Sequence, residues 1–450
     1  MEARASKSEV SRWFENLGGL DHGSFFFSPK IPADNGEFRP PAGTVPLDGG
    51  PETLRDTLTG IIVPGFVHSP NLTWFVLAVI VWVIAPYQLE ADLQNISWQN
   101  VFYERLSVNQ ILMAVYVGFW HAAVVWWDWA KRPFILATPP QTTRILVNIL
   151  FTWLGVLQWT VTESLIVYGY QTRRISFWRF SANNSSLDGS LSGCLLVWQS
   201  MAVAILIPAF RDVHFYFTHR LLHVARLFKY IHYLHHTNVT SLEPFAGLSM
   251  HPLEHMLYFA SYGPLLLIPN LHPFLLLWTG THALLAPAAS HSGFEDHFSA
   301  DLEHFIHHCY PHCNYGIPCS VPFDKWFGTY KACILESSDR IAHLQQKDQS
   351  HPLAGYTRDR FGFDLSWIAV WITSIVFSNR LSAWVVTWGI AILPFQVALF
   401  GSPRKQALKR IWAPFDKTSV ASQIFHLGLG FVLGVLPPAY LIFLQLSYGE

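Results

Sequence analysis

The sequence predicts an all-α fold, a polytopic bundle of transmembrane helices. Three observations predict it. Of 450 residues, 51 % are hydrophobic and only 13 % are charged, against a charged share of roughly 25 % in soluble domains. The apolar residues gather in runs, and a run of about 20 is enough to cross a bilayer. A backbone without water must satisfy its own hydrogen bonds, so these runs are read as helices. Finally, 16 of the 22 histidines lie between His214 and His312.

Taken in order, residues 1–60 form a polar, loosely ordered N-terminal arm. It is rich in Pro, Gly and charge, with a short helix expected near Glu9–Asn16. Met1 to Val10 hold no apolar core of a cleaved signal peptide. Residues 61–189 are expected to carry N-terminal transmembrane helices. Their apolar runs are Leu72–Ile84 (with Ile61–Val67 before it), Ile111–Trp127 and Ile145–Tyr168, and Cys194–Phe210 follows. The second and third satisfy the length rule, while the first and fourth need flanking residues. His255–Leu285 is broken by Pro264, Pro269 and Pro273, which predicts a hairpin of two helices rather than one straight span. Residues 336–450 are read as a C-terminal transmembrane extension, with runs at Trp367–Phe377, Ala383–Phe400 and Leu427–Leu446. Basic loops at Lys131-Arg132, Arg173-Arg174 and the island Pro403–Trp412 leave the full topology open.

Some classes are set aside early. A net charge of −1 gives no bulk attraction to nucleic acid. Five cysteines, an odd and sparse set, argue against a disulfide framework. Sequons stand at Asn71, Asn95, Asn183 and Asn238, but the one at Asn238 lies two residues past a histidine cluster, an odd place for a glycan.

The chemistry sits in three clusters. They read His219-Arg220-Leu221-Leu222-His223, His232-Tyr233-Leu234-His235-His236 and His304-Phe305-Ile306-His307-His308. Neutral imidazole is a ligand for zinc, copper, nickel or iron. Eight imidazoles exceed what one ion can use, so the pattern points to a histidine-rich di-metal site. On a helix, residues i, i+3 and i+4 share a face, and each HxxHH triplet is expected to present all three rings on one face. His291, His282, His251, His255 and Asp212 are candidates for further ligands or for groups that orient ligands. Glu254, Asp296 and Asp301 are candidate acceptors for ligand N–H groups. Cys309, His312, Cys313 and Cys319 offer zinc-type ligands, though buried cysteines more often serve as small core residues.

At these residues the chain resembles the fatty acid hydroxylase / sterol desaturase superfamily, which carries HxxxH, HxxHH and HxxHH in this order. The likeness extends to Asp212, to Tyr230-Ile231-His232 and to His291-Ser292-Gly293-Phe294. It continues through Asn314-Tyr315-Gly316 and Asp324-Lys325-Trp326-Phe327-Gly328-Thr329. It covers about residues 190–335, the expected catalytic domain, and not the arm or the tail. The resemblance implies a multi-pass, integral membrane enzyme of the endoplasmic reticulum with its histidine-rich site on the cytosolic side. It implies two iron ions per chain, held by the eight cluster histidines, with no other catalytic side chain required. O2 would be used with electrons from NAD(P)H, delivered by cytochrome b5 and its reductase or by cytochrome P450 reductase. The expected reaction is hydroxylation or desaturation of a lipid drawn from the bilayer. His251-Pro252-Leu253-Glu254-His255 looks closer to the sterol branch, and no fused cytochrome b5 domain is apparent, but sterol and fatty-acyl substrates both stay open.

Two other readings are weighed. A membrane zinc hydrolase would need an acid–base carboxylate beside its ligands, as in H-E-x-x-H, and the chain lacks that motif. A membrane metal-binding or transport protein would place ionisable residues inside its spans. Here Arg220, Arg226 and Lys229 surround the first two clusters, which favours an enzyme site at the membrane edge.

Overall fold

The computed structural model describes residues 69–87, 97–127, 138–172, 191–268, 271–294, 302–316, 323–331, 346, 360–361, 363–365 and 420–447. The arm 1–60, the runs Ile61–Val67, Trp367–Phe377 and Ala383–Phe400, the basic loops and the sequons at Asn95 and Asn183 lie outside the described residues. So do Asp296, Asp301 and Cys319.

The main helices are α1 (Ser69–Ile84), α2 (Trp98–His121), α3 (Thr142–Gln171) and α4 (Leu191–Leu222), then α5 (Pro252–Phe259), α6 (Phe274–Ser290), α7 (Leu302–Cys309) and α8 (Val420–Ser447). No strand occurs among the described residues. Among the described residues, three stretches are long and apolar enough to cross a membrane: Trp98–Trp126, Thr142–Gln171 and Cys194–Leu222. Asn71–Ile84, Phe274–Ser290 and Ile424–Pro438 are apolar but shorter.

Helix α2 begins at Trp98, well before the apolar run at Ile111. Its first half carries Arg105 and Asn109, which a hydropathy reading treats as breaks, yet both are buried against the bundle. Asn109 Nδ2 donates to Glu163 Oε2 (2.7 Å) on α3, and the Tyr87 hydroxyl donates to Glu163 Oε1 (2.6 Å). Polar groups at membrane depth persist where they find such partners. At its other end α2 runs into a π turn, Ala122–Trp126.

The prolines after His255 do break the chain. Helix α5 gives way to a 3-10 turn at Ala260–Tyr262 and a short turn at Gly263–Leu267, and α6 starts after Pro273. Inside the bundle, Trp74 of α1, Trp159 of α3 and Trp278 of α6 pack in one apolar core. A second core joins Leu221 and Leu222 of α4 to Leu253 and Leu257 of α5 and to Leu427 and Val435 of α8.

The C-terminal helix thus packs on the helix that carries the first histidine cluster. Two glycines permit the approach. A Cβ on Gly430 would stand 2.5 Å from the Phe217 carbonyl oxygen, and one on Gly434 would stand 2.7 Å from Leu257 Cδ2. Small residues let helix backbones meet closely where lipid offers no hydrophobic drive.

Candidate metal centre

The histidines arrive from four directions. His219 and His223 sit one turn apart at the end of α4. His232 closes a π turn, Phe228–His232, and His235 and His236 open a 3-10 turn, His235–Thr237. His291 follows the last residue of α6, and His304, His307 and His308 lie on α7. All nine are buried.

They form two groups. His219, His223, His232, His236 and His307 make the first, and His235, His291, His304 and His308 the second. In each group one ligand atom per residue lies within 4.8 Å of all the others. The expectation that each HxxHH triplet shares one face is corrected here. His232 and His236 join the first group while His235 turns to the second, and His304 and His308 join the second while His307 turns to the first. The reason is angular. Neighbouring residues point about 100° apart on α7 and about 120° apart in the 3-10 turn of His235 and His236, so adjacent rings serve adjacent centres. The groups adjoin, with the His236 and His308 ring centroids 4.7 Å apart.

Carbonyl oxygens and a carboxylate fix the tautomers. His219 Nδ1 donates to Tyr315 O (2.8 Å) and His307 Nδ1 to Cys313 O (2.6 Å). His308 Nδ1 donates to Asn238 O (2.7 Å) and His291 Nδ1 to Pro287 O (2.7 Å). His232 Nδ1 meets Glu254 Oε1 at 2.7 Å. A neutral imidazole carries one N–H, so the Nε2 atoms of these rings present bare lone pairs. Yet His219 and His232 bring Nε2 atoms to 3.1 Å, and so do His291 and His308. Lone pairs converging without a proton between them repel unless a cation lies among them. Metal–imidazole bonds of about 2.0–2.1 Å put neighbouring donor atoms on one ion at about this separation. The donor set fits a metal ion in each group.

Protonation does not relieve the crowding. Burial pushes His232 down to about 3. Burial first, then the neighbouring imidazoles, holds His235, His236 and His304 well below the ordinary value, and burial does the same for His308. The rings are neutral near pH 7, the form that binds metal.

The closing motifs also find work in the geometry. Asp324 accepts from Tyr315 N (2.9 Å), Gly316 N (2.7 Å) and the Thr329 hydroxyl (2.6 Å). Asn314, held at φ 52°, pairs with Lys331 through Nδ2 to O (2.8 Å) and Oδ1 from N (2.7 Å). Together these fix the loop whose carbonyls aim His219 and His307.

The remaining candidates lie elsewhere. His282 Nε2 bonds Asn71 Oδ1 (2.8 Å), His251 Nε2 meets Asp364 Oδ1 (3.0 Å), and His255 lies between Gln158 and the Leu248 carbonyl. Asp212 is buried on α4, outside both groups. Cys309 and Cys313 are buried thiols whose Sγ atoms face the Val239 and Tyr310 carbonyls. Asn238 has no exposure at all, which rules out a glycan on the folded chain. Sequence reasoning missed the orienting carbonyls, because a backbone acceptor leaves no residue signature.

Comparison with known proteins covers the stretch that carries these histidines. The fatty acid hydroxylase family model matches residues 204–329. A fatty acid hydroxylase of Mycosarcoma maydis is 34% identical over 157 residues, 34% of this chain and 38% of that protein. A Delta(7)-sterol 5(6)-desaturase of Gibberella zeae is 25% identical over 161 residues, 33% of this chain and 49% of that protein. A Delta(7)-sterol 5(6)-desaturase of Aspergillus fumigatus is 30% identical over 159 residues, 32% of this chain and 43% of that protein. The chain thus spans less than half the length of each of these relatives. No solved structure matches. Residues 204–329, which contain all nine clustered histidines, are similar to the fatty acid hydroxylase family, and the relatives found support the fatty acid hydroxylase / sterol desaturase superfamily for this stretch.

Proposed function

We propose that this chain is a membrane di-iron oxygenase that hydroxylates or desaturates a sterol or fatty-acyl lipid. The observation that supports it most is the pair of adjoining groups of five and four buried imidazoles beside helices apolar enough to cross a membrane. His219, His223, His232, His236 and His307 would hold one iron, and His235, His291, His304 and His308 the other. Two bound irons would supply the redox chemistry that reduces O2 and oxidises an unactivated C–H bond. Electrons would come from NAD(P)H through cytochrome b5 and its reductase, or through cytochrome P450 reductase, at the endoplasmic reticulum membrane.

The chain's own residues do the rest. Tyr315 O, Cys313 O, Asn238 O and Pro287 O hold the ring protons on Nδ1 and leave Nε2 free to bind. Glu254 holds the His232 ring in the same way. Burial of all nine rings keeps water from the centre. We place the catalytic unit at 190–335, with α8 of the 336–450 tail as its brace. The relatives' names, a fatty acid hydroxylase and two sterol desaturases, favour a lipid substrate of one of these kinds.

The test uses membranes containing the full chain, iron-loaded and supplied with NADPH, cytochrome b5, its reductase and 18O2. A sterol and fatty-acyl lipid mixture is then analysed by mass spectrometry. The expected result is a labelled alcohol or a product two hydrogens lighter. A fully iron-loaded chain that consumes neither O2 nor lipid with any of these substrates contradicts the reading.

A further inference from the structure

The rings of the second group are aimed partly from outside the region that the family model covers. His308 Nδ1 donates to the Asn238 carbonyl. The Asn238 side chain forms a reciprocal amide pair with Asn148 of α3, each Nδ2 donating to the other's Oδ1 at 3.1 Å. Asn148 Nδ2 also donates to Glu243 Oε1 at 2.8 Å. Glu243 Oε2 accepts from His121 Nδ1 (2.7 Å) at the end of α2 and from Phe245 N (2.9 Å). Asn148, Asn238 and Glu243 are 1 % exposed or less, and His121 is 2 % exposed.

We propose that Glu243, gripped by His121 and linked through Asn148, is a positioning residue for the second metal group. The claim rests on the di-metal reading of the site. A buried carboxylate needs donors on both oxygens to be worth its desolvation, and here three donors converge on it. Two of them come from α2 and α3, helices far from the histidine clusters in sequence. The carboxylate therefore welds these helices to the loop that follows the second cluster. Arg144 of α3, which donates to the Thr237 carbonyl, and the Thr152 hydroxyl, which donates to the Phe245 carbonyl (2.8 Å), tie both ends of that loop to the same helix. Among the described residues, no ring of the first group bonds directly to a member of the His308–Asn238–Asn148–Glu243–His121 chain. The first group's acceptors are Tyr315 O, Cys313 O and Glu254.

This asymmetry supplies the test. Full-length protein, wild type and the variants Glu243→Ala, Glu243→Gln and Asn148→Ala, is titrated with ferrous iron. Iron per chain and the Mössbauer spectrum of each site are read alongside turnover. Loss of a group that orients a ligand costs about 10–100-fold in metal affinity. The expected result is that fold-loss at one of the two sites only, with one Mössbauer component fading, in Glu243→Ala and in Asn148→Ala. Glu243→Gln keeps an oxygen for Asn148 and should recover part of the affinity. Unchanged affinity at both sites, or an equal loss at both, overturns the proposal. Where Glu243→Ala yields no folded protein, Asn148→Ala decides, since it cuts the link while the carboxylate keeps its His121 and Phe245 donors. If wild-type protein binds no iron, the di-metal reading fails instead, so the two failures are separate.

Discussion

The first group is aimed from within the matched region, whereas the second leans on helices outside it. In the first, the orienting acceptors Glu254, Cys313 O and Tyr315 O all lie between 204 and 329. In the second, Pro287 O is local, but the Asn238 carbonyl that aims His308 is braced by Asn148 and, through it, Glu243 and His121. The lesson is that a motif-bearing stretch can hold every ligand and still depend on its neighbours for geometry. Helices α2 and α3 are then more than membrane anchors, and their polar faces are part of how the centre is built.

The comparison is broken most severely by removing a ligand. His307 and His304 share α7 but face different groups. His307→Ala and His304→Ala are each expected to lose one metal ion and to lower turnover by at least about 100-fold, beyond what an orienting group costs. Metal analysis of each purified variant checks this, and loss of both ions in either variant would show that the groups fold as one unit.

A smaller effect is expected at Glu254. Glu254→Ala removes the acceptor of His232 Nδ1 and should weaken the first site by about 10–100-fold while the second keeps its affinity. Glu254→Gln, which retains an oxygen, should sit between the variant and wild type in an iron titration.

The brace from α8 gives a third contrast. Gly434→Leu forces a side chain toward Leu257 and Thr218, and overpacking of this kind costs about 1–3 kcal/mol. A lower melting temperature is expected, with the first site the more affected because Thr218 adjoins His219. An unchanged melting curve would mean that α8 simply moves aside.

Acid should act on the empty centre. In the folded, metal-free chain His232 titrates at about 3, while an unfolded histidine titrates near 6.5. Between these values the unfolded chain binds more protons, so stability is full above about pH 6.5 and falls as pH drops toward 3. Melting of chelator-treated protein near neutral pH and at about pH 5 checks the sign. A more stable apo-protein at the lower pH would contradict the burial of neutral rings.

Much of this was legible in the sequence, for definite reasons. The ligand types and their spacing are written in side chains, so His219 to His308 could be read directly, and the segment beginning at His291 marked the ninth ring. The asparagine and aspartate of the closing motifs were visible as likeness, and Asp324 and Asn314 now have a structural purpose. What stayed hidden depends on direction and on backbone. Spacing alone placed His235 beside His236, but a rotation of about 120° per residue in their 3-10 turn sends them to separate centres. Carbonyls of Tyr315, Cys313 and Pro287 carry no signature at all. The start of α2 was masked by Arg105 and Asn109, whose burial only makes sense once Glu163 and its partners are seen. Asn148, Glu243 and His121 are 95 and 122 residues apart in their pairings, a distance at which no local pattern can speak.

The most direct measurement is the metal content of the purified full-length chain expressed with iron. The account expects two irons per chain in the wild type and one in His304→Ala and in His307→Ala. A single zinc in the wild type, or an iron count that neither substitution changes, would contradict it.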